Sequence, residues 1–355
     1  MANSLLKLLS IFFILISLFT SHALSDDDSS GCQSEEDACT DKSGALPLKL
    51  IAIFSILASS VIGVSAPLFS RSIPALQPNQ SLFLIVKGFA SGIILGTGFM
   101  HVLPDSFDDL SSSCLNENPW HKFPFTGFVA MLSALVTLMV DSMATSIYTK
   151  KADDRVIAED GAAREDREKV EGGSFGHFHG HHHHDQSKSG NGGSQLARYR
   201  VIAMVLELGI VVHSVVIGLS LGASNNTCSI KGLVAALCFH QMFEGMGLGG
   251  SILQAEYVMF KRIVMVFFFS VTTPFGIVLG IALSKAYKEN SPTALITEGL
   301  LNASSAGLLI YMALVDLLAA DFMGPKLQGN IKLQIKCYIA VFLGAGGMSL
   351  MAKWA

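Results

Sequence analysis

The residues in this chain best able to do chemistry are two histidines and a glutamate placed where ionisable groups are least expected. His213 stands about midway along the apolar run LELGIVVHSVVIGLSLG; His240 and Glu244 stand about midway along IKGLVAALCFHQMFEGMGLGG, both runs lying between Glu207 and Gly250. Each run is apolar enough to span a bilayer, and an ionisable group at that depth costs from roughly 3 kcal/mol upward, which marks a pathway or a binding site. His240 and Glu244 are four apart and share one helix face, with His213 in reach from the neighbouring helix. Two imidazoles and a carboxylate suit a borderline divalent cation such as zinc or ferrous iron. The competing account has each histidine hydrogen-bonding a nearby carbonyl on its own, and three such groups at one depth weigh against it. Gly218, Gly222, Gly245 and Gly249 flank them at the small-xxx-small spacing that lets helix backbones approach closely in lipid.

Other groups extend this chemistry in both directions. The run KGFASGIILGTGFMHVLPDSFDDL ends in His101, Pro104, Asp105, Asp108 and Asp109. His101 and Asp105 share a helix face at or just below the outer mouth, where an acidic cluster either gathers cations by its negative potential or forms a solvated helix end. Asp141 is a further carboxylate near an inner membrane boundary, and Asn302, Ser304, Ser305, Asp316 and Asp321 line a later segment that can extend an exit path. A polar loop holds HFHGHHHHD, with His177, His179, His181, His182, His183 and His184. Such a tract binds zinc-like metals weakly and adaptably through neutral imidazoles. Its internal position, preceded by HFH, argues against an expression tag.

The elements that must position these groups follow from composition and hydropathy. Half of the 355 residues are hydrophobic and only 15% are charged, a membrane composition. There is no basic patch with interleaved aromatics and no glycine-rich phosphate cradle, so nucleic acid is not an expected partner. Eight apolar segments are predicted, at 47–70, 82–104, 124–148, 199–222, 229–252, 262–285, 295–318 and 333–352. The expectation is an all-α membrane protein with eight transmembrane helices and a cleaved signal peptide. Lys7, the run LLSIFFILISLF and the small residues of SHALS give that leader at 1–25, followed by an extracellular segment at 26–46. Helices 1–3 then occupy 47–148, a cytosolic His-rich loop read as disordered occupies 149–198, and helices 4–8 occupy 199–355. Lysine and arginine concentrate in the segments this topology puts inside, which places both termini outside. Of the cysteines in outer loops (Cys32, Cys39, Cys114 and Cys228), Cys32 and Cys39 are expected to form a local bridge, although sequence does not fix the pairing.

HSVVIGLSLG followed by CFHQMFEGMGLGG resembles the signature pair of the ZIP (Zrt-, Irt-like protein) family of divalent metal transporters. The likeness extends over essentially the whole chain after the leader. GFMHVLPDSF, NPWHKFPF, MVDSMATS, LLIYMALVDLLAADFMGPKLQG and the terminal AKWA are most similar to the plant iron-regulated branch. The resemblance implies metal ligands at His213, His240, Glu244 and His101, with Ser214 and Gln241 at second-site positions. Ile217 stands where some members carry an acidic residue, so one strong metal position is expected rather than two. Asp105 and Asp141 match positions associated with metal choice, and Asp108 replaces an expected glutamate.

The implied activity is import of ferrous iron, with zinc, manganese, cobalt or cadmium as co-substrates, through a plasma-membrane carrier serving root iron uptake. A mixed N/O site does not select iron on affinity, since the Irving–Williams order favours other metals. Acid is expected to compete with metal, because binding needs neutral imidazoles. No enzymatic activity and no resident cofactor are expected, the cation being substrate. The expected partners are divalent cations and the lipid bilayer, with a homodimer and ubiquitination machinery at the loop lysines as further options. The alternatives are a primarily zinc-selective carrier, a metal-sensing receptor, and an intramembrane metalloenzyme, the last weakened by the missing HExxH order.

Overall fold

A computed structural model describes residues 39–69, 77, 80–170, 189–284 and 291–352. The leader expected at 1–25 and the histidines at 177–184 lie outside the described residues. Among the described residues eight long helices follow one another: α1 (Lys42–Phe69), α2 (Ser81–Leu110), α3 (Phe125–Val170), α4 (Ser189–Ala223), α5 (Thr227–Gln254), α6 (Met259–Leu283), α7 (Pro292–Phe322) and α8 (Ile331–Met351). No strand occurs among the described residues. Seven of the eight are long and apolar enough to cross a membrane. The exception is α5, which reaches sufficient length but whose apolarity is diluted by Lys231, His240, Gln241, Glu244 and a run of glycines. The eight predicted segments thus correspond to eight helices, and the one that falls short in apolarity is the one that carries two of the three central groups.

Packing among these helices rests on close backbone approach, as expected where lipid removes the usual hydrophobic drive to associate. The helices form parallel pairs. Along α1 and α5, a Cβ on Gly63 would overlap the Met242 carbonyl, and one on Gly249 would overlap that of Val64. Along α2 and α8, Gly92 faces the Val341 carbonyl in the same way; along α4 and α6, Gly222 faces that of Ile277. Helix α7 lies beside α3, where the Ser133 hydroxyl donates to the Ser304 carbonyl at 2.7 Å. The central core gathers Ile94, Leu206, Ile210, Leu248, Phe269 and Leu317 from five helices. Helix α3 turns Leu135, Met139, Met143 and Ile147 outward, a lipid-facing surface.

Two expectations are corrected. Cys39 bonds to Cys228, not to Cys32, with Cα atoms 5.7 Å apart. The bridge ties the start of α1 to the start of α5, and Thr40 pairs with Asn226 beside it. A partner 189 residues away in sequence is invisible to spacing arguments. Second, helix covers part of the loop read as disordered, since α3 continues to Val170 and α4 begins at Ser189. The segment KADDRVIAEDGAAREDREKV is polar, which suggested disorder, yet it is built largely from the Ala, Glu, Arg and Lys that favour helix in water.

Candidate metal centre

Helix α5 owes its start to Asn226, whose side chain accepts from the Cys228 and Ser229 amides at 3.1 Å each. That cap fixes the helical register from which His240 and Glu244 project one turn apart. Helix α4 brings His213 to them. Nitrogen atoms of His213 and His240 and a carboxylate oxygen of Glu244 all lie within 4.8 Å of one another. The two imidazole centroids are 5.9 Å apart, and all three side chains are buried. Four donors at about 2.0–2.1 Å around a tetrahedral ion are roughly 3.4 Å from one another, so a cation needs the trio to draw in by little more than an ångström.

The hydrogen-bond inventory favours that use. Both nitrogens of His240, both oxygens of Glu244 and Nε2 of His213 are buried without a hydrogen-bond partner among the described residues. Orphaned buried polar atoms cost roughly 1–3 kcal/mol each, and more when charged. Nδ1 of His213 lies 3.1 Å from the Ser305 hydroxyl. With that hydroxyl accepting, Nδ1 carries the proton and Nε2 keeps its lone pair for a metal. The role of Ser305 was not legible in the sequence beyond its place on a polar stripe of the seventh segment.

His101 stands next to this trio. It lies in a wide π-helical turn, Gly98–Val102, that interrupts α2, a feature frequent at functional sites. Its ring centroid is 6.3 Å from that of His240, and its Nε2 is buried and unpartnered. Its Nδ1 is 3.9 Å from Asp105, whose side chain is 52% exposed. His101 therefore connects the buried trio to an exposed carboxylate. Asp109, one turn further, receives a hydrogen bond from the Asn302 amide at 3.4 Å.

The remaining expected residues fall around the trio rather than in it. Ser214 and Gln241 are buried beside His213 and His240 in sequence; the Ser214 hydroxyl and both amide atoms of Gln241 lack partners among the described residues. Asp141 lies apart on α3, accepting from the Tyr311 hydroxyl at 3.2 Å, its Oδ1 without a hydrogen-bond partner among the described residues. Asp316 is buried within a second wide π-helical segment, Met312–Ala319. Lys87 lies within the predicted second segment, and its partners were not foreseen. It is buried in α2, 2.9 Å from Asp321 on α7 and 2.8 Å from the Gln254 side-chain oxygen on α5.

Known proteins match nearly the whole chain. A family model described as "ZIP Zinc transporter" matches residues 46–352. "Probable zinc transporter 10" of Arabidopsis thaliana is 64% identical over 350 residues, covering 97% of this chain and 96% of that protein. "Fe(2+) transport protein 1" of the same plant is 63% identical over 359 residues, covering 100% and 99%. "Fe(2+) transport protein 1" of Oryza sativa subsp. japonica is 60% identical over 327 residues, covering 90% and 87%.

Proposed function

This chain belongs to the ZIP family of divalent metal transporters, and from that premise we propose that it carries ferrous iron, with zinc, manganese, cobalt or cadmium, across the plasma membrane into the cytosol. The observation that carries the reading is the buried trio of His213, His240 and Glu244, its donor atoms within 4.8 Å and without other partners among the described residues. A cation attracted by Asp105, Asp108 and Asp109 sheds water, passes His101 and binds the trio. Asp141 and Asp316 stand on the inner side as oxygen donors for its departure. Ser214 and Gln241 offer neutral groups beside the ligands, so one strong position is expected. Both termini are proposed to face outward. The cation is substrate, and the reading includes no resident cofactor and no catalysis. A homodimer, and regulation through the His-rich loop and ubiquitin attachment at its lysines, belong to the same proposal.

The relatives named for iron and for zinc match this chain at nearly equal identity, which favours broad cargo over a single metal. A primarily zinc-carrying role is the second reading. The deciding experiment is competitive uptake of radiolabelled ferrous iron against zinc and manganese, across pH, in cells expressing the chain. Uptake of iron displaced by zinc and manganese supports the first reading; zinc uptake indifferent to excess iron supports the second. Metal binding without uptake would make the chain a receptor.

A further inference from the structure

The outer side of the metal trio leads through His101 to a half-exposed carboxylate, whereas its inner side is shut twice over. Ile94 of α2, Leu248 of α5 and Leu317 of α7 are fully buried there. A Cβ on Gly247 would sit 3.4 Å from Ile94 Cδ1, 3.9 Å from Ala90 and 4.0 Å from Leu317 Cδ1, leaving no room for a hydrated ion. One turn further along α5, Ser251 is also buried. Beyond this apolar layer the Lys87 ammonium bridges Asp321 Oδ2 at 2.9 Å and Gln254 Oε1 at 2.8 Å, with the lysine 3% and the aspartate 10% exposed.

Each of the three helices joined by this bridge also brings a group to the centre. Helix α2 carries His101, α5 carries His240 and Glu244, and α7 carries Ser305, which holds His213. At 1.5 Å per residue, Lys87 lies about 21 Å along α2 from His101, Gln254 about 15 Å along α5 from Glu244, and Asp321 about 24 Å along α7 from Ser305. The bridge thus closes the inner ends of the helices that hold the cargo. A buried lysine among membrane helices is costly unless paired, and it persists where a pathway or switch uses it.

We infer that Lys87, Asp321 and Gln254 form the inner gate of the transport path. The ammonium is a tethered cation that holds the two oxygens of α5 and α7 together while the site faces outward. Opening withdraws Lys87, and a departing dication passes the freed oxygens, so a positive charge faces Asp321 in either state. This inference rests on the transport reading and adds to it the residues that decide when the inner side opens.

The test uses the full chain with Cys238→Ser and Cys337→Ser, which removes the two free cysteines among the described residues, and Ser251→Cys as a reporter behind the gate. A membrane-impermeant maleimide is applied from the cytosolic face in inside-out vesicles. With Lys87 intact, labelling is expected to be slow and to rise several-fold with saturating zinc. Lys87→Met is expected to label at least tenfold faster without zinc, and Lys87→Asp with Asp321→Lys to restore the slow rate. Labelling unchanged by Lys87→Met, or unrestored by the exchanged pair, would overturn the gate. Should Lys87→Met fail to reach the membrane, the zinc response of the Lys87 chain decides, and no response overturns it. Zinc uptake by the native chain is followed in parallel. Its absence would overturn the transport reading alone, and its presence with indifferent labelling would overturn the gate alone.

Discussion

Replacing Glu244 by glutamine separates the needs of the metal from those of the fold. The substitution keeps the shape of the side chain and removes the only anionic donor of the trio. Both Glu244 oxygens lack partners among the described residues, so an amide is the cheaper occupant of that position when no metal is bound. An unpaired buried charge costs more than the roughly 1–3 kcal/mol of an unpaired neutral group, so the variant is expected to be at least as stable as the native chain in metal-free detergent. The effect of metal runs the other way. A cation that binds only the folded chain, supplied at a hundred times its dissociation constant, stabilises it by about 2.7 kcal/mol. That increment should vanish in Glu244→Gln. The assay is thermal unfolding of purified protein with and without zinc, beside zinc uptake in cells matched for surface expression. Expected are an unchanged or raised metal-free transition, no zinc shift and uptake at background. A full zinc shift together with native uptake would refute the assignment of Glu244 as a ligand.

His240→Ala is expected to abolish metal uptake while surface expression persists, checked by surface biotinylation alongside radiolabelled uptake. Deleting 177–184 is expected to leave initial uptake rates largely intact and to change how surface abundance responds to metal excess. Asp41 precedes α1, where the Ser43 hydroxyl and the amides of Ser43 and Gly44 hold its carboxyl below the usual carboxylate range. A carboxylate with a depressed folded value stabilises above its unfolded value of about 3.9, and that contribution is lost as pH falls through the lower folded value. Asp41→Ala should therefore lower the unfolding temperature at neutral pH, and the gap from the native chain should close under strong acid.

What the sequence revealed and what it hid divide along physical lines. His213, His240 and Glu244 were legible because a bilayer makes polarity expensive and because a spacing of four residues fixes a shared helix face. The glycine contacts were legible for a similar reason, since small residues at helical spacing have little else to do in lipid. The pairing of Lys87 was hidden, because only tertiary packing shows Asp321 and Gln254 arriving from helices more than 150 residues away. The Cys39–Cys228 bond was hidden by the same distance in sequence. The wide turns at His101 and Asp316 left no mark in hydropathy, because one added residue per turn does not alter composition. Helix α5 fell below the apolarity of a span for the reason that makes it informative, as it carries the groups a transported ion needs.

The bond between Cys39 and Cys228 has a mechanical corollary. Fastened near their starts by sulfur and interlocked further on through Gly63, Gly245 and Gly249, α1 and α5 resist sliding or rotating past each other. Two of the three groups of the ion cradle are thus mounted on a stiff two-rod strut. Whatever rearrangement exposes the cargo to the opposite compartment must shear along another seam, with the strut travelling or standing still as one piece.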